Sequence, residues 1–563
     1  MTRFPFCLLL VPFLLSACVS PSGNVTANAP ESTLELAARA GAPLFEGMGN
    51  HHHPITTRDA MAQRYFDQGM VLAFGFNHAE SIRSFRAAQR LDESCAMCYW
   101  GEALATGPNI NVTSNGKAVM SAEERAAAYA ALQNAIQRKG NASEVERDYI
   151  DALAARYNGD PNTDREPMDI AYANAMRGLV AKYPEDNDAA AMFAEALMNT
   201  MPWNYWSDDG QPREETVEVI NALEAILARK PDHALALHLY IHAVEASSNP
   251  GRAEISADTL ADLVPGSGHL VHMPAHIYWR VGRYYDAAEA NVRAAAVDEE
   301  YIAQCNAQGF YPALYYPHNI HFLWAASSME GRSAVAIEAA RKVRENVPLE
   351  IVEQFPTVEF FRTLPMLALT QFGRWEEILN EPQPPAGLDY YLGIWHYARG
   401  VALSNMGDTA RAMAERDALV PIRDAATIQF LDSADYPATV LLQIADELLL
   451  GEIAMAGGDL PGAIDHFRAA VVTQDELPYT EPPFWYYPTR QSLGLALLRA
   501  GNYTEAEAVY RQDLADYPRN GWSMYGLITS LEAQNKIDDA NSVKAQFEPV
   551  WALADVELEA SRF

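Results

Sequence analysis

Seven of the chain's 14 histidines fall on a shared count. Measured from Pro231, His238 and His242 follow seven and eleven residues on; measured from Pro265, His269, His272 and His276 follow four, seven and eleven residues on. Counted back from Gly331, His318 and His321 stand thirteen and ten residues before the glycine, as His269 and His272 stand before Gly282. Imidazole nitrogen is a ligand for copper, zinc or iron, and the i, i+4 pairs His238/His242 and His272/His276 can each grip one ion from a single helix face. The plainer alternative is a set of histidines hydrogen-bonded to aromatic and carboxylate neighbours, or binding an acidic ligand when protonated. Glu195, eleven residues after Pro184, takes the slot of His242 and His276. It would supply a carboxylate ligand or a general base there, or stand solvated.

Residues spaced this way need elements that repeat. Gly494, Gly501, Tyr503, Ala506, Tyr510 and Pro518 lie at offsets 0, 7, 9, 12, 16 and 24, and Gly451, Gly458, Ala463 and Phe467 at 0, 7, 12 and 16. Ala275, Tyr278, Gly282, Tyr284 and Ala287 repeat the pattern in the middle of the chain, and Phe76-Asn77-His78 with Ser81, Phe85 and Ala88 near its start. This small-and-aromatic spacing resembles the tetratricopeptide (TPR) signature, a helical hairpin of about 34 residues. The resemblance implies an all-α, TPR-type α-solenoid of stacked hairpins whose first helices line a concave wall. One hairpin cannot bury its apolar face alone, so neighbours must stack. Runs such as Ala234 to Tyr240 favour helix and little strand is expected. Pro274 removes a backbone hydrogen bond between His272 and His276 and predicts a kink, whereas Pro317 suits a first turn. The aromatic stretch 199–211 reads as an ordered loop. A proline cluster at 381–386 divides an N-terminal array, 55–380, from a C-terminal one, 381–563.

The chain begins with Arg3, an apolar run from Phe4 to Leu15, and Leu15-Ser16-Ala17-Cys18. The run is too short to span a bilayer, and with Leu-Ser-Ala-Cys it resembles a bacterial lipoprotein signal, 1–17, with Cys18 the acylated residue. Val19 rather than Asp follows, which by resemblance favours the outer membrane, periplasmic side, with the lipid as the sole membrane contact. Residues 18–54 then read as anchor and flexible tether, and His51-His52-His53 either as a mobile polar tract or as further metal ligands. In an oxidising compartment Cys95 and Cys98 would form a disulfide or a soft-metal site. Tyr99, where c-type haem attachment needs His after the second cysteine, argues against such a haem.

The strings FNHAESIRSF, CAMCYWGEAL, HMPAHIYWRVGRYYDAA and EPPFWYYPTRQSLG resemble those of exported bacterial TPR lipoproteins. That resemblance implies a protein or peptide partner in the groove. The aromatic segment with Trp485, Tyr486, Tyr487 and Arg490 would either recognise an extended peptide or pack between units. A net charge of −33 argues against nucleic acid. No nucleophile elbow, phosphate loop or dinucleotide fingerprint is present. Two functions remain: a lipid-anchored scaffold binding a protein, peptide or metal in its groove, and a metal-dependent oxidoreductase or hydrolase using the groove histidines.

Overall fold

The computed structural model describes residues 33–563 apart from 115–116, 161, 208 and 306–310. The signal segment and Cys18 lie outside the described residues. Helices joined by short turns pack in sequential pairs, such as Ala60–Phe74 with His78–Leu91, Ala438–Ala456 with Leu460–Asp475, and Arg490–Arg499 with Tyr503–Asp516. Turns this short make the partners antiparallel. The chain is an all-α TPR-type solenoid. Among the described residues its only ladder is the two-residue pairing of Thr113–Ser114 with Lys117–Ala118.

The offset of sixteen has a direct physical cause. A Cβ on Gly494 would stand 2.4 Å from the Tyr510 ring, one on Gly451 2.4 Å from Phe467, and one on Gly69 2.8 Å from Phe85. The aromatic of each second helix is therefore seated on the bare backbone of its partner, and a side chain there would push the hairpin open. Gly282 meets a different demand. Its φ is +75°, and Arg283 N–H donates to Tyr278 O at 2.8 Å across it, which ends the preceding helix.

Contacts between distant hairpins wind the solenoid tightly. The His238 ring Nδ1 reaches Phe74 O at 2.7 Å, and Gly266 N–H donates to Gly47 O at 2.9 Å. From the other end, Trp522 Nε1–H donates to Ser328 O at 2.8 Å and Ser333 N–H to Asp555 Oδ1 at 2.7 Å. The first helices thus meet in a packed interior, not around an open groove. His238 and His272 are 0% exposed. The expectation of an open concave wall at the histidines is corrected, because local spacing specifies each hairpin but not how far the superhelix closes.

Several smaller expectations meet the structure here. The helix carrying the central histidines is divided into Gly268–His272 and Pro274–Arg280, the break falling at the N–H that Pro274 lacks. Cys95 and Cys98 form a disulfide, and Cys305 is free. Residues 33–54 are packed in a way a flexible tether would not be. Thr33–Ala40 is helical with Leu36 and Ala40 buried, and His53 Nδ1 lies 2.6 Å from Asp188 Oδ2. His51 and His53 accordingly meet Asp188, which also pairs with His233, while His52 pairs with Asp67, and none of the three joins the central histidines. No helix among the described residues is long and apolar enough to cross a membrane.

Candidate metal centre

Six of the seven counted histidines converge in two groups. Ligand-capable nitrogens of His238, His242 and His269 lie within 4.8 Å of one another, and so do those of His272, His276 and His318. Each group has one composition: an i, i+4 pair, on one helix for His238/His242 and across the Pro274 break for His272/His276, plus one histidine from the next hairpin. His269 and His318 occupy equivalent positions before their glycines, so one step along the solenoid generates the second group from the first. The groups adjoin, with the rings of His242 and His276 5.6 Å apart and those of His269 and His272 5.9 Å apart.

What the outer nitrogens touch decides where the inner ones point. His238 Nδ1 donates to Phe74 O (2.7 Å) and His272 Nδ1 to Asn291 Oδ1 (2.7 Å). Asn291 is itself oriented by donating Nδ2–H to Ala287 O at 2.8 Å. The two oxygens of Glu245 accept from His242 Nδ1 (2.8 Å) and His276 Nδ1 (2.5 Å), one ring from each group. With Nδ1 carrying the proton, a neutral ring presents an Nε2 lone pair inward. His272 Nε2 faces His276 Nε2 at 2.8 Å and His318 Nε2 at 3.1 Å, and His238 Nε2 faces His269 Nε2 at 3.2 Å. His242 Nε2 is buried with no hydrogen-bond partner. Lone pairs held this close repel unless a proton or a metal cation lies between them.

Electrostatics divide the rings into two kinds. Burial, reinforced by neighbouring imidazoles, holds His238, His269, His272 and His318 well below the usual histidine range, so they are neutral, the form that ligates. Burial would lower His276 too, but the Glu245 and Glu481 carboxylates outweigh it and lift the ring to about 10. Burial raises Glu481 to about 7, and its Oε2 lies 3.3 Å from His276 Nδ1. Tyr479 donates its hydroxyl to the other Glu481 oxygen. A proton on His276 Nε2 can therefore bridge to His272 in the metal-free chain, in the place a cation would take.

Aromatic side chains seal the cluster. The Phe76 ring lies 4.8 Å from His238 and 5.1 Å from His269, and Tyr315 5.1 Å from His269. Trp203, on the aromatic loop, stands edge-on to His242 at 5.2 Å, and Trp206 Nε1–H anchors that loop to Ala243 O at 2.9 Å. Phe322 covers His272 and His276 from the other side, each at 5.2 Å.

The seventh counted histidine stays outside both groups. His321 is stacked on Trp324 at 5.3 Å and meets Phe360 and Phe361, and burial pulls it down to about 3. It is the repeat equivalent of His272, but Ala325 stands where the i+4 partner would be. Glu195 is likewise apart. Its companion slot holds Ala191, and burial raises its carboxyl to about 6 in the field of Arg156.

Trp485, Tyr486 and Tyr487 are built into the packing. Trp485 meets Tyr397 at 5.5 Å, the Tyr486 hydroxyl pairs with that of Tyr397 at 3.0 Å, and Arg562 lies 3.7 Å over Tyr487. Arg490 makes a two-bond pair with Asp475 (2.7 and 2.6 Å). The residues that spacing alone did not single out are Glu245, Asn291, Tyr479 and Glu481. Glu245 had a usable signal, since a carboxylate three residues after His242 shares its helix face.

Fold and site together define a TPR solenoid with an all-imidazole cluster at its centre. No family model and no curated protein matches the chain. Among solved structures it is similar to human IFIT1, in its dimer with m7Gppp-AAAA, at 12% identity over 88% of this chain and 91% of that one, TM-score 0.31. It is similar also to yeast Tom70 (10%, 88% and 92%, TM-score 0.27) and to the APC/C hetero-tetramer Cut9–Hcn1 (12%, 87% and 87%, TM-score 0.27).

Proposed function

We propose that the chain is an exported, lipid-anchored TPR protein that holds two transition-metal ions, one in each three-histidine group, and uses them as a metal-dependent oxidoreductase. The observation that carries this reading is the set of four rings whose Nδ1 atoms are each occupied by a fixed acceptor, so that their Nε2 atoms are turned inward, two into each group. Outer-shell partners of this kind are what metal-bound histidines require. Nitrogen-only ligation suits copper best among the candidates, since first-row affinity peaks there; zinc or iron would use the same atoms. When bound, the ions supply open coordination positions and, with copper or iron, one-electron redox chemistry. The chain's own residues orient the ligands, balance charge through Glu245 and Glu481, and exclude water with Phe76, Trp203 and Phe322.

Export is supported by the apolar run from Phe4 to Leu15 with Cys18 just after it and by the Cys95–Cys98 disulfide, which suits an oxidising compartment. The anchor then places the protein at the outer membrane, facing the periplasm. The repeat fold also supports a protein partner, and closure of the interior moves such binding to the outer faces of the array. Elemental analysis after loading and desalting tests the central reading. Two ions per chain are expected, falling to one in His269→Ala and staying at two in His321→Ala. Wild-type chain that retains no ion, or a His321→Ala chain that loses one, refutes it.

A further inference from the structure

A cavity of about 190 Å³ adjoins the second histidine group, and its composition names a substrate class. His318 and Glu481 line it, and they are also members of the cluster just described. The remaining wall is mostly aromatic and aliphatic, with His321, Thr363 and Thr480 among it. Phe360 and Tyr436 lie nearly parallel at 5.1 Å, Phe484 stands edge-on to Tyr436 at 5.7 Å, and Leu367 is part of the lining. Of the wall's other polar groups, the Tyr436 hydroxyl donates to that of Tyr390 at 3.1 Å and Thr363 Oγ1 to Phe360 O at 2.6 Å, while Trp324 Nε1 is buried without a partner. No lysine or arginine lines the space, so nothing in the wall neutralises an anion. The one carboxylate, Glu481, keeps its Oε2 buried without a hydrogen-bond partner, 3.3 Å from His276 Nδ1, where it can accept from a hydroxyl.

A volume of this order matches one six-membered ring, since an apolar protein cavity of ~150 Å³ accepts benzene. Flat aromatic walls favour a flat occupant. Resting on the proposed metal function, the geometry points to this cavity as the substrate site for an uncharged, single-ring aromatic molecule of the phenol type, its ring against the wall that Phe360, Tyr436 and Phe484 form and its polar end toward His318 and Glu481.

The test uses the full metal-loaded chain and three ring-sized probes: 4-methylphenol, benzoate and benzylamine. Calorimetry is expected to show saturable binding of 4-methylphenol, with benzoate and benzylamine at least tenfold weaker. Leu367→Trp fills the space and is expected to abolish binding, and the milder Leu367→Phe to weaken it at least tenfold, with metal content unchanged in both. Absence of saturable 4-methylphenol binding, preference for either charged probe, or binding indifferent to both substitutions overturns the assignment. The two readings fail separately. A chain that takes up no metal yet binds 4-methylphenol in a Leu367-dependent way sinks the metal function and keeps the cavity; a chain that holds two ions and ignores the probe does the reverse.

Discussion

Glu245→Gln is the most informative single change, because one side chain serves both histidine groups. The carboxylate accepts from His242 Nδ1 at 2.8 Å and from His276 Nδ1 at 2.5 Å. A glutamine amide offers one oxygen and one NH2, so it can satisfy only one of these donors. The ring left facing the NH2 must move its proton to Nε2, and that ring's lone pair then turns away from the centre. Loss of such an outer partner costs 10- to 100-fold in metal affinity, or about 1.4–2.7 kcal/mol. The expected result is one site weakened by that factor and the other near wild type, read by titration against a competing chelator, with circular dichroism confirming the fold. Glutamine is close in size to glutamate, so packing is largely kept. Two sites of unchanged affinity, or two sites lost equally, would refute the idea that Glu245 sets the tautomers of both groups.

Two further outcomes concern the scaffold. Gly494→Ala puts a methyl 2.4 Å from the buried Tyr510 ring and is expected to destabilise by about 1–3 kcal/mol. Gly178→Ala, with nothing within 4 Å of the new Cβ, should stabilise by up to about 1 kcal/mol; thermal unfolding of the pair checks the sign of each. Glu359, raised by burial to about 7, keeps in the folded state a proton that the unfolded chain releases from pH 4.5 upward. Its stabilising share is therefore complete below pH 4.5 and declines as pH rises to 7. Glu359→Gln should gain about 2–3 kcal/mol on wild type between pH 5 and pH 8 in denaturant melts, and an equal difference at both pH values would contradict this.

The repeat was legible because its spacing records a contact: Gly494 and Tyr510, or Gly451 and Phe467, lie sixteen apart since ring and backbone touch. The same count gathered six histidines that do converge. It over-reached at His321, where the count was right but Ala325 removed the partner, and it placed Glu195 in a slot whose companion is Ala191. It was silent on Phe74 O, Asn291 and Glu481, which come from other helices or from a distant loop. Closure of the interior was also invisible, because it arises from small angular increments between hairpins that no single unit encodes.

The two histidine groups are related by a translation along the array and not by a dyad, and this has a consequence for their chemistry. A rotation axis would give both ions identical surroundings. A screw step instead sets one against Phe76 and Trp203 and the other against Phe322 and Asn291. Ions bound there would be distinguishable by potential and by spectrum, and the centre would be asymmetric from the moment it filled.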